Sequence, residues 1–353
     1  MLCNLHYFGR YVCSALILCL PLLATAQNES DLVIVWDANR ENQLKVSGQI
    51  IEYTNTAMSV KLPSGRVRQL ESDRIITMVT TWRAEYQEAE NLFHERQYER
   101  AEKGFRQAYA VETRGWIKER IQARILGCLR AQGKWSAAAR FYADELRKTN
   151  PLTPYLDVIP VVWHTLILSP TMQNHAMALL DSADLNDRLI GASWLLASPM
   201  RAEAVSALTQ LELNTNKRIA ILATAQLWRT KLPVALNADL ERWQNAINRL
   251  PLAYQAGPYY VLGQLQQQQG ESELAVLTWM RVVILFPHGH QLNAESLLAA
   301  IKALGQLDKP TQAITLCREL QNKYQSTIAA SQTSRLITQL QKLQLALKAD
   351  SEK

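Results

Sequence analysis

Glycine and proline are scarce, at 13 and 12 residues in a chain of 353. That excludes collagen-like, low-complexity and loop-heavy architectures. Cysteine is nearly absent from the body of the chain. Cys3, Cys13 and Cys19 fall in the first 26 residues, which leaves Cys128 and Cys317. Two cysteines do not make a disulfide framework. Both lie on apolar helical faces, where cysteine acts as a small core residue, and an oxidising compartment leaves a disulfide between them open. The apolar run Val12–Leu23 is shorter than the ~20 residues that span a bilayer. Charge of one sign is also lacking. The net charge is +6, with no Lys/Arg block and no basic patch interleaved with aromatics, so no nucleic acid partner is expected. The P-loop, the H-E-x-x-H helix, the dinucleotide fingerprint, paired C-x-x-C ligands and the G-x-S-x-G elbow are all missing.

What is present begins with a secretory pattern. Arg10 precedes the apolar run, and Ala24-Thr25-Ala26 supplies the small residues of a cleavage site. Residues 1–26 therefore read as a signal peptide, and the expected location is periplasmic or otherwise exported. No stable membrane span is expected after cleavage. An uncleaved anchor is the alternative. Leu18 stands before Cys19 where a lipobox needs a small residue, so lipidation is not expected.

Residues 28–81 change character. Asp31–Trp36, Val46–Tyr53, Met58–Leu62, Val67–Leu70 and Ile75–Val79 are short β-favouring runs separated by turn-like segments such as Pro63-Ser64-Gly65. Gly48 inside the second run predicts a bulge or bend. The rhythm resembles small five-stranded SH3-like or Sm-like barrels. It predicts a small β-barrel module that docks on or caps the rest, with polysaccharide binding as the alternative.

From Trp82 onward, helical periodicity dominates, and it repeats. Ala89, Leu92, Tyr98, Ala101, Phe105 and Ala108 form one copy. Leu129, Gly133, Trp135, Ala138 and Tyr142 form a second, closed by Pro151. Leu262-Gly263, Gly270, Ala275, Trp279 and Pro287 form a third; Leu297, Leu304, Ala313, Cys317 and Leu320 form a fourth. Ala101 to Ala138 is 37 residues and Ala275 to Ala313 is 38. Small residues let helices approach, and large ones fill the space beside them.

On these residues the chain resembles the tetratricopeptide-repeat (TPR) family, over about residues 84–151 and 256–325. It departs from the pattern at Leu126 and Gln325. The C-terminal pair is similar to repeats of the periplasmic Tol–Pal-associated cell-division coordinator family. The implied fold is a mainly α, TPR-like α-solenoid preceded by the β module. Residues 82–151 read as TPR-like repeats and 152–255 as degenerate TPR/HEAT-like hairpins. Residues 256–350 read as TPR-like repeats with a capping helix. Its face of Leu336, Leu340, Leu343 and Leu347 also suits a coiled-coil seam between two copies, a possible homo-oligomer contact.

Candidate chemistry is thin. His288 and His290 are spaced to share a metal, but a site needs three or four ligands, so a loop is the simpler reading. His94, His164 and His175 stand alone and read as packing residues. The Glu-rich first repeat, with Arg and Lys interspersed, reads as a solvated face with ion pairs. The tryptophans recur about once per hairpin and read as packing residues. The expectation is a non-catalytic scaffold, without cofactor or metal, that binds a protein or peptide segment in the concave face of the array. Asn91, Glu95, Arg124, Tyr259, Tyr260 and Gln266 are the candidate groove residues. The alternative is a cell-wall-associated enzyme or polysaccharide-binding protein.

Overall fold

The computed structural model describes residues 30–148, 154–155, 158–287 and 289–351. The expected signal segment, Pro151 and His288 lie outside the described residues.

The five β-favouring runs become β1 (Asp31–Trp36), β2 (Gln43–Tyr53), β3 (Ala57–Lys61), β4 (Val67–Glu71) and β5 (Ile75–Val79). They form one antiparallel sheet in the order β4-β3-β2-β1-β5. Alternation sets its inner face: Val33, Val35, Val46, Ile50, Met58 and Val60 are buried. The 3-10 turn Ser72–Arg74 carries β5 across to pair with β1. β4 and β5 do not pair, so the sheet keeps two edges instead of closing into the expected barrel. The register shift in β2 falls between Ile50 and Glu52 rather than at Gly48. Gly48 instead marks a close approach, because a Cβ there would stand 2.4 Å from the Lys61 carbonyl oxygen.

Most of the other described residues are helical. The first four helices are α1 (Ala84–His94), α2 (Tyr98–Val111), α3 (Gly115–Ala131) and α4 (Trp135–Phe141), the last running on as a π-helical turn. The middle holds α5 (Pro170–Leu180), α6 (Leu185–Leu195), α7 (Arg201–Glu212), α8 (Lys217–Lys231) and α9 (Asn237–Asn248). Then come α10 (Ala256–Gln268), α11 (Ser272–Leu285), α12 (His290–Gln306), α13 (Pro310–Lys323), α14 (Ile328–Ser331) and α15 (Thr333–Ser351). Most helices pack mainly on their neighbours in sequence.

Four hairpins share one turn. Arg96, Gly133, Gly270 and Asp308 all have left-handed φ, between 53° and 83°. In each, the next residue's amide bonds back five residues: Gln97 to Leu92, Lys134 to Leu129, Glu271 to Gln266, Lys309 to Leu304, at 2.8–2.9 Å. That is the Schellman closure of a helix C-terminus. Five residues after the turn comes a buried alanine: Ala101, Ala138, Ala275, Ala313. Nine residues after it comes a buried filler: Phe105, Tyr142, Trp279, Cys317. Four sequence copies are thus four copies of one helix pair. The middle differs. Asp184 caps α6 and Asn216 caps α8 through side-chain oxygens.

Two features depart from a simple helical array. Residues 159–169 are not helical, although the sequence reads as helix there. This strap is buried at Ile159, Val161 and Val162, and side chains satisfy its backbone. The Arg229 guanidinium donates to the carbonyls of Val162 (2.9 Å) and His164 (3.1 Å), and the Trp194 indole donates to Pro160 (3.1 Å). Such pairing is what permits an irregular segment inside a protein. The second feature is a contact between α3 and α12. In a solenoid each repeat touches only its neighbours; here the C-terminal hairpins return to the N-terminal ones.

The sheet is tied to the corner between α2 and α3. Buried Asp31 accepts from the Ile50 amide at 2.7 Å and from the Thr80 hydroxyl. Arg114 donates to Thr80 Oγ1 at 3.1 Å and pairs with Glu112 at 2.9 Å. At the other end α15 packs along α13, with Leu340 buried and Leu336 half-buried. Leu343 and Leu347 of the same face are half-buried.

Candidate functional site

The meeting of the two halves creates a cavity. Its elements are the end of α3, the start of α4, the strap, the turn before α10 and the connection from α11 to α12. The volume is about 470 Å³, within the ~300–1,000 Å³ of ligand pockets. Trp135, Val161, Leu222, Tyr254 and Phe286 supply apolar wall. Arg130, His164 and His290 also line it.

His290 is placed by three aromatic neighbours. Its Nδ1 lies 3.1 Å from the Tyr98 hydroxyl, and its ring is 4.9 Å from that of Tyr324. Arg96 stacks over Tyr324 at 5.3 Å. The His290 Nε2 is buried and makes no hydrogen bond among the described residues. Gln291 donates to the Ala131 carbonyl at 2.8 Å and closes the seam.

Arg130 is the unusual group. One terminal nitrogen donates to the Val158 carbonyl at 3.1 Å, while its buried Nε makes no bond. No described carboxylate pairs with it. Burial lowers its pKa to about 10, so it stays charged at neutral pH. His164 Nδ1 is likewise buried and unbonded. Burial first, then Arg229, lowers the His164 pKa to about 4; burial first, then Arg96, does the same for His290. Both rings are neutral near pH 7.

The sequence-expected groove residues are not gathered here. Asn91 and Glu95 are exposed at the end of α1, where Glu95 accepts from Gln97 at 2.7 Å. Arg124 is held by Glu90 at 2.7 Å and lies over Phe93. Tyr259, Tyr260 and Gln266 are buried: Arg281 covers the Tyr259 ring, and the Tyr260 carbonyl accepts from the Trp279 indole. His290, read as half of a loop pair, is a core residue. Among the described residues no three His, Cys, Asp or Glu are grouped to hold a metal ion. Cys128 and Cys317 are free and buried; burial pushes both thiols up, Cys317 to about 11.

A different surface stands out on α11. Leu274, Leu277, Ile284 and Leu285 are 46%, 66%, 67% and 51% exposed, spaced to follow one face of the helix. The opposite face carries Ala275, Thr278, Trp279 and Val282 into the core. Sequence reasoning saw the buried half as a repeat and gave the exposed half no role. The signal was there: α11 lacks the polar face that a solvated helix carries. No family model and no curated protein matches the chain.

Proposed function

We propose that the chain is a non-catalytic, exported scaffold whose TPR-like helical array holds a protein or peptide segment. The reading takes its export from the N-terminal pattern and its architecture from the four matching hairpins. The observation that carries it is the α11 face, where four large aliphatic side chains face solvent. Exposed apolar side chains gathered on one helix face, here around Arg281, mark an interaction surface. The contact is accordingly assigned to α11, the second helix of its hairpin, rather than to the buried first-helix residues Tyr259, Tyr260 and Gln266.

The test is a Leu277→Glu/Ile284→Glu variant. Both positions are exposed, so the fold tolerates the charges. Affinity capture from envelope extract should recover a discrete protein with the unaltered chain and lose it with the variant at unchanged Tm. Equal recovery by both chains refutes the assignment.

A further inference from the structure

The cavity between the two halves shares Leu285 with the α11 face but carries an inference of its own. A buried charge is ordinarily paired, since burying it alone is costly. Arg130 lines a cavity in which no described lining residue is acidic. The free polar group there with a fixed hydrogen is a donor, the buried Arg130 Nε. The remaining wall is largely aliphatic and aromatic. Leu252 and Leu285 line the cavity while staying 61% and 51% exposed, so it opens to solvent between two apolar lips.

We propose that this cavity binds a small amphiphilic oxyanion, a carboxylate or phosphate head seated at Arg130 with its apolar tail among Trp135, Val161, Tyr254 and Phe286. The head supplies a negative charge that no described lining residue gives Arg130. The tail lies against the apolar wall of the cavity. A charged ligand without a tail leaves that wall wet, and a tail without a charge leaves the guanidinium unpaired, so both parts are required.

The test uses the full chain and four octyl probes: octanoate, octyl phosphate, octanol and octylammonium. Calorimetry and the emission of Trp135 and Trp163, both lining the cavity, report binding. At least one of the two anions should bind one per chain, and which one is tighter identifies the head group. Octanol and octylammonium should bind about tenfold more weakly or worse. Arg130→Met should weaken the anion about 10- to 100-fold. Its Tm is measured alongside, because the substitution also removes the bond to the Val158 carbonyl. A destabilised Arg130→Met leaves the probe ranking on the unaltered chain as the deciding result. Octanol binding as tightly as the anions, undiminished anion binding by a folded Arg130→Met, or no binding of either anion overturns the proposal.

Discussion

The indole of Trp163 lies where a side chain on Gly257 would stand: a Cβ there would be 1.9 Å from the ring carbon Cε2. The strap and the first turn of α10 therefore meet without any side chain between them. Trp163 and Gly257 both line the cavity, so this contact fixes one of its walls. Gly257→Ala must displace the ring. We expect a loss of about 1–3 kcal/mol, the usual cost of overpacking, with a shift in tryptophan emission. Urea unfolding and fluorescence measure both. Unchanged stability would mean that the strap yields freely.

The repeated turn makes its own prediction. A methyl group on Gly270 would meet nothing within 4 Å, but the residue's φ is +83°. Gly270→Ala should therefore cost about 1–2 kcal/mol through backbone strain alone. Gly115, at the start of α3, also has open space but no left-handed φ. Gly115→Ala should be neutral or stabilising by up to about 1 kcal/mol. Thermal melts of the two variants separate backbone conformation from packing, and equal effects would contradict the shared-turn account.

Stability should fall in mild acid. His164 and His290 have pKa values of about 4 in the folded chain against ~6.5 unfolded. Between those values the unfolded chain binds more protons, so stability rises with pH across that window. It is complete above about pH 6.5, declines as pH falls toward 4, and the contribution is fully lost below that. The size is about 3 kcal/mol per ring at most. Urea unfolding at pH 5 and pH 7.5 should show a shallower pH dependence in a His164→Gln/His290→Gln variant than in the unaltered chain. Equal pH dependence would show that other groups set the acid response.

Much of the fold is legible in the sequence because the informative residues are local. The alternating β runs and the Ala–filler pairs sit within single elements or single hairpins. Gly133 and Gly270 mark turns by their own conformational freedom. Arg96 and Asp308 adopt the same left-handed turn with no glycine to announce it, so only the register of Ala101 and Ala313 reveals them. The strap reads as helix because its apolar residues look like a buried helical stretch. What makes it extended is remote: Arg229, Trp194 and Gln226 supply its hydrogen bonds from other helices. The cavity was illegible for the same reason. Arg130 and His290 lie 160 positions apart, and neither belongs to a motif. The aromatic pair Tyr259–Tyr260 looked like groove anchors because first-helix positions line the groove in such arrays. Here Arg281 lies over the Tyr259 ring and the Trp279 indole donates to the Tyr260 carbonyl, both from the next helix.

The most direct test of the scaffold reading is site-specific photo-crosslinking in intact cells. A photoreactive residue replaces Leu277 on the α11 face in one chain. In a second it replaces Leu213, which is 82% exposed at the end of α7 and lies outside that face. The account predicts a discrete protein adduct from position 277 and none from position 213. No adduct at 277, or the same adducts from both positions, would contradict it.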